Sequence, residues 1–289
     1  MDGIPFYQDI AFLSLVIFFL FFFGLVFYLR REDRREGFPL ADEYTGELEQ
    51  TNAGLGVYVP EPKSFKLMHG RGEKQAPNFK DMTPPIQARR MGVSPGSPYE
   101  PSGDPMTSGV GPGAWTPRPE EPELDSEGHI KIRPMAKLPE FSIAPGDVDP
   151  RGFAMIGCDK EEAGKIVDMW VDIPEQLIRY YEIEVAGGGA ASAAEAKSDN
   201  GEEGESLVDK LKPGNGGGGA KRVLIPATMV SVRKKAQKIE TNAIRADQFA
   251  NVPRTAKDDQ ITLNEEEKIA AYYGAGYLYA TEQRQEPLI

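Results

Sequence analysis

Residues Ile10 to Leu29 run for twenty positions without a charge and stop abruptly at Arg30-Arg31. As a helix rising 1.5 Å per residue, such a run reaches roughly 30 Å, the hydrocarbon thickness of a bilayer. A secretory signal would place basic residues ahead of a shorter apolar stretch and small residues at a cleavage site. The first 29 residues instead hold no Lys or Arg, and the arginine pair stands where cleavage would fall. The run therefore reads as a permanent single-span anchor. Seven phenylalanines between Phe12 and Phe27, with no polar group suited to ions or substrates, fit an anchor and not a transport path.

Orientation follows from the basic residues alone. Arg30, Arg31, Arg34 and Arg35 stand after the span and none stands before it, which predicts a periplasmic N-terminus and a cytoplasmic C-terminal bulk. Phe6 and Tyr7 on one side and Tyr28 on the other suit the two headgroup belts, and Gly37 with Pro39 offers the helix a stop.

About 250 residues remain beyond the anchor, enough for one or two modest domains. The chain is acidic, with a net charge of −12 and a pI near 4.9, which argues against nucleic-acid partners and broad adhesion to anionic lipid. Its one cysteine, Cys158, permits no internal disulfide and suits a reducing cytoplasm. With only His69 and His129, no multi-histidine metal centre or convincing Ser/His/Asp set can be assembled. The inventory alone argues against an independent hydrolase or metalloenzyme.

Residues 53 to 150 hold 17 of the 24 prolines, so long helices and central strands are barred there. Yet Phe65, Leu67, Met68, Phe79, Met82, Tyr99, Met106, Val110 and Trp115 are more apolar anchors than a solvated linker needs. The segment reads as an extended strap ordered on a partner's surface. From about Phe141 the pattern turns to strands. "GFAMIG", "GKIVDMWVDI", "IRYYEIEV", "RVLIPATMVSV" and "QKIETNAI" predict a small antiparallel barrel or sandwich. Residues 186 to 220 carry ten glycines without a G-x-x-x-x-G-K-[ST] pattern, so they read as a flexible hairpin insert. "HGRG" from His69 to Gly72 reads as a turn. Glu265 to Tyr273 predicts one clear helix, capped by Thr262 or Asn264 and ended by Gly274.

Seven segments now carry a family resemblance in register. "YLRREDRREGFPL", "PKSFKLMHGRG", "PSGDPMTSGVGPGAW", "PELDSEGHIKIRPM", "DMWVDIPEQLIRYYEIEV", "DQFANVP" and "EEEKIAAYYGAGYLYA" together resemble the H subunit of the purple-bacterial photosynthetic reaction centre. The resemblance covers nearly the whole chain except the glycine-rich insert. It implies a fold of one N-terminal transmembrane helix, a mainly β cytoplasmic domain built as a small PRC-type antiparallel barrel, and one C-terminal helix. The implied divisions are an anchor (1–36), a strap on partner subunits (37–140), a barrel interrupted by the insert (141–260) and a helix with its tail (261–289).

What the resemblance implies for function is a non-catalytic accessory subunit in the photosynthetic intracytoplasmic membrane. It would cap the cytoplasmic face of the L and M subunits, support assembly and conduct protons to the secondary quinone. Bacteriochlorophyll, bacteriopheophytin, quinones and a non-haem iron would be held by the partner subunits, none by this chain alone, and light-harvesting antenna and lipid would be neighbours. Glu175 and Asp172 match the family's relay carboxylates, with Arg179 and Lys131 as the cations that tune them. Asp125, Glu127 and His129 match its proton-uptake surface. Relatives with a second histidine there can bind a divalent metal, but Glu127 replaces it here, so Asp125, Glu127 and His129 make only a weak metal site. Two other readings use the same barrel: a membrane-tethered adaptor for an unrelated protein, and an RNA-processing protein, the latter opposed by the acidic pI and the anchor.

Overall fold

The computed structural model describes residues 10–36, 60–78, 87–94, 96–186 and 221–285, divided into two compact units. Phe6, Tyr7, Gly37, Pro39, Phe79, Met82 and the insert beyond Ala186 lie outside the described residues.

The first unit contains helix α1 (Ile10–Glu32), with no buried residue along its length. A helix apolar all round suits lipid, not a protein core, and it is long and apolar enough to cross a membrane. Its rings ladder at four-residue spacing, Phe18 on Phe22 and Phe19 on Phe23, each at 5.9 Å between centroids. Ser14, the one aliphatic hydroxyl within the span, is satisfied by donating to the Ile10 carbonyl at 2.7 Å.

Beyond α1, a 3₁₀ turn (Asp33–Arg35) turns Arg35 inward. That side chain is 8% exposed, yet its donors are matched. Nε and Nη2 donate to the two Glu32 carboxylate oxygens at 2.7 and 3.1 Å, and Nη1 donates to the carbonyls of Glu61 and Ala76 at 2.7 and 3.0 Å. Strands β1 (Lys63–Lys66) and β2 (Glu73–Ala76) form an antiparallel hairpin whose root pairs Lys63 with Ala76. Arg35 therefore fastens this root to the helix end, with Lys63 Nζ adding a 2.7 Å ion pair to Glu32. "HGRG" is the turn at the hairpin's tip, where His69 takes φ 57°.

In the second unit, β3 (Ala88–Arg90) and β4 (Tyr99–Pro101) make a separate short hairpin. The main sheet uses β5 (Ile132–Pro134), β6 (Ala154–Ile156), β7 (Glu162–Asp172), β8 (Leu177–Val185), β9 (Arg222–Pro226), β10 (Val230–Arg233) and β11 (Lys238–Thr241). Its order is β10-β11-β6-β7-β8-β9, with β5 paired to the far end of β7. The β11–β6 ladder is parallel and the others are antiparallel. Strand β7 is flanked on both sides and almost wholly buried, with Ile166, Met169 and Trp170 at 2% exposure or less.

Helix α2 (Leu263–Tyr279) closes the core. Thr262 accepts from the Glu265 N–H while the Glu265 side chain accepts from the Thr262 N–H, a complete capping box. The expected stop at Gly274 is corrected: the helix continues five residues beyond it, to Tyr279, and glycine serves close approach there. A Cβ at Gly276 would lie 2.5 Å from the Ala243 carbonyl oxygen, and one at Gly274 would lie 2.6 Å from that of Pro112. Part of the proline-rich strap also lies on this unit's own core. Met106, Val110, Ile132, Met135 and Leu138 are buried, and Arg118 binds Glu267 at 3.0 Å.

Candidate functional site

Two short hairpins build the site. One is local: Leu124 bridges Ile130, and the Lys131 N–H donates to the Glu123 carbonyl at 2.9 Å. This sets Glu123 opposite Lys131 and Asp125 opposite His129. The other is the β7–β8 hairpin, whose last pair is Asp172 with Leu177 and whose turn carries Pro174, Glu175 and Gln176. Because β5 follows Lys131 directly and pairs with the end of β7, the two hairpins meet there. The Ile173 N–H donates to the Lys131 carbonyl at 2.9 Å.

Lys131 is the hub. Its Nζ lies 3.2 Å from Glu123 Oε1, 3.4 Å from Asp172 Oδ2 and 3.4 Å from Glu175 Oε1. The three carboxylates differ in wetness: Asp172 is wholly buried, while the Glu123 and Glu175 side chains are 40% and 49% exposed. Asp172 Oδ1 also accepts the Glu175 backbone N–H at 3.2 Å, which fixes the Asp172 carboxylate against the turn that carries Glu175. Burial pulls the Lys131 ammonium down, but the Glu123 hydrogen bond and the surrounding carboxylates outweigh it and leave the pKa raised. The hub is a permanent cation amid acids, reaching from solvent to a dry interior.

Arg179 stands apart from this contact set. Its side chain is exposed on β8, and its charge acts on the neighbouring Tyr180 and on Glu266. Asp125, Glu127 and His129 do come together, with His129 Nδ1 lying 3.4 Å from Asp125 and 3.7 Å from Glu127. Asp125 Oδ1 is already occupied by the N–H groups of Glu127 and His129, at 2.9 and 2.8 Å. The His129 N–H is the main cause that holds the Asp125 carboxyl below its ordinary range. Among the described residues, no group of three His, Cys, Asp or Glu side chains converges as metal ligands would.

Three members of the site were not legible as such. Glu123 joins the hub because it is two residues before Asp125 on the same arm, a period-two signal that sequence reading could have used. Tyr180 and Glu266 meet across the fold: the Tyr180 hydroxyl donates to Glu266 Oε2 at 2.6 Å. Burial raises the Tyr180 phenol far above its ordinary value, with the Glu266 charge adding to it. Burial likewise raises the Glu266 carboxyl, against the lowering effect of the Tyr180 bond.

Residues 4–137 match the family described as photosynthetic reaction centre, H-chain N-terminal region, and residues 146–248 match the PRC-barrel domain. The first match takes in α1 and the arm carrying Glu123, Asp125, His129 and Lys131. The second runs across β6 to β11 and takes in Asp172, Glu175, Arg179 and Tyr180, while Glu266 lies outside both. With the two matches in chain order and the Lys131 hub joining one to the other, this chain belongs to the H-chain family of the photosynthetic reaction centre.

Proposed function

We propose that this reaction-centre subunit conducts protons from the cytoplasm to the secondary quinone of its complex, through the acids gathered on Lys131. The observation that carries this reading is the hub itself. A single ammonium holds three carboxylates within 3.4 Å, one of them fully buried, at a turn followed by the exposed apolar residues Leu177 and Ile178 at the start of β8. Bare Leu and Ile beside a buried acid suit a surface that presses against partner subunits, here L and M. His129 and Glu127, 71% and 78% exposed, would collect protons, while Asp125 supplies a fixed negative charge beside them. Glu123 and Glu175 would pass them inward to Asp172. The chain takes no bond-breaking step of its own. The pigments, quinones and iron belong to the partners, which this subunit caps and helps to assemble.

The test is double-flash absorbance kinetics on the assembled complex carrying Glu175→Gln, which keeps size and hydrogen bonding but cannot carry the proton. The first electron should reach the secondary quinone nearly unchanged. The second, coupled to proton uptake, should slow at least ~10-fold, about 1.4 kcal/mol of barrier. Small weak acids should restore part of the rate. An unchanged second-flash rate would remove Glu175 from the path.

The cytoplasmic placement rests on the four arginines that follow the span. Protease added to sealed inside-out vesicles should digest the C-terminal domain and spare a short fragment containing residues 10 to 29. Survival of the whole domain there would reverse the topology.

A further inference from the structure

Three consecutive glutamates open α2, and each has a different fate. Glu265 completes the capping box and also accepts from the Ala256 N–H, and Glu267 pairs with the Arg118 guanidinium at 3.0 Å. Glu266, half-buried, meets no cation in contact among the described residues. Its side chain's hydrogen-bond partner among the described residues is the neutral Tyr180 hydroxyl at 2.6 Å. Tyr180 is itself 6% exposed, so the donor side of this bond is screened from water. Its electrostatic neighbours belong to the site already described: Arg179 from β8, and Glu123 and Lys131 from the arm before β5. Burial and the Glu123 charge favour the protonated Glu266 carboxyl, while the Tyr180 bond, Arg179 and Lys131 favour its charge, so the group is poised both to hold a proton and to release it.

We propose that Glu266 is a further proton-holding residue of this relay, a reserve kept by Tyr180 behind the Lys131 hub; the inference rests on the proton-conducting reading above. When the relay gives up a proton, Glu266 passes its own to the emptied relay, ending as a carboxylate that the Tyr180 hydroxyl still donates to. A proton from the medium then restores the Glu266 carboxyl. Only protons move, one from Glu266 to the relay and one from the medium to Glu266. The raised position of the Glu266 carboxyl, caused first by burial, is in the direction such a reserve needs.

Flash-induced infrared difference spectra of the assembled complex, with proton uptake followed by an indicator dye, test it. Glu266→Gln should lose a protonated-carboxyl C=O signal and part of the uptake. Tyr180→Phe should keep the signal, move it to higher frequency as the hydrogen bond disappears, and shift its titration to higher pH, because that bond favours the carboxylate. A purely structural role for Glu266 would move neither the band nor the titration. Spectra of Glu266→Gln that superimpose on the wild type, while Glu175→Gln alters both signal and uptake, would overturn the reserve and leave the relay standing. Silence in both variants would overturn both.

Discussion

The turn Asp125–His129 and the turn Asp172–Glu175 look alike as text, each a few acids around a tight bend, and they fold into opposite electrostatic situations. The first is solvated. Its one shielded acid, Asp125, is surrounded by N–H donors that lower it. The second closes over Lys131, and Asp172 has no exposure at all, with a cation 3.4 Å away as its counter-charge. The difference lies not in the number of acids but in what covers them. Strand β5 and the end of β7 pair beside the second turn, whereas His129 is left 71% exposed by the described residues. A solvated turn can collect protons from water, and a covered one can confine them.

The largest way to break this comparison is to remove the hub. Lys131→Met keeps most of the aliphatic stem but leaves Asp172 buried without its counter-charge, which should cost about 3 kcal/mol or more. Urea unfolding of the detergent-solubilised chain, followed through the fluorescence of buried Trp170, reads this directly. Adding Asp172→Asn to that variant should recover much of the loss, because the buried charge goes with it. In the open turn, His129→Ala should change stability by less than about 0.5 kcal/mol. Equal effects of the two single variants would mean that Asp172 is wetter than its place in the sheet indicates.

A second prediction sharpens the contrast through pH. Glu266 has a raised carboxyl, so the folded state favours its protonated form. That contribution to stability is present below the unfolded glutamate value and is lost as pH rises through the folded one. Asp125 is depressed, so its contribution is present above the unfolded aspartate value and is lost as pH falls through the folded one. Relative to wild type, Glu266→Gln should therefore gain stability as pH rises past the ordinary glutamate range. Asp125→Asn should lose it over the ordinary aspartate range and below. Urea unfolding across a pH series gives both slopes, and slopes of the same sign would contradict the opposite settings of the two acids.

These settings also mark where sequence reading succeeds. The anchor, the strand runs and the Thr262 cap were legible because each rests on a short-range rule: an uninterrupted apolar run, β-branched segments between turns, a hydroxyl ahead of a glutamate. The pairing of Asp172 with Glu175 was legible as well, since both sit on one turn. The three glutamates of α2 were not separable, because local rules place all of them at the positive end of a helix dipole. Only β8, arriving through Tyr180, singles out the middle one. Gly274 failed as a helix stop for the same reason. A glycine near a helix end is a local signal for termination, but here the Pro112 carbonyl at 274, and the Ala243 carbonyl with the Ile244 side chain at 276, leave no room for a Cβ. The strap misled in part, since prolines rule out regular structure but do not say whose surface an extended segment covers. Met106 and Val110 lie on this unit's own core.

The smallest expected effect is the most discriminating for the open turn. The leading cause of the low Asp125 carboxyl is the backbone N–H of His129, with the imidazole's charge and hydrogen bond contributing less. His129→Ala deletes the ring and keeps the N–H. The Asp125 titration, followed by carboxyl carbon NMR, should then move up only slightly and stay below the ordinary aspartate range. A return to the ordinary value would show that the side chain, not the turn, holds the charge in place, and that Asp125 and His129 share a proton as a pair. If the midpoint stays low, Asp125 remains ionised whatever the state of its neighbour. In the proposed relay, proton collection then falls to His129 and Glu127, with Asp125 as the fixed charge that orients the turn.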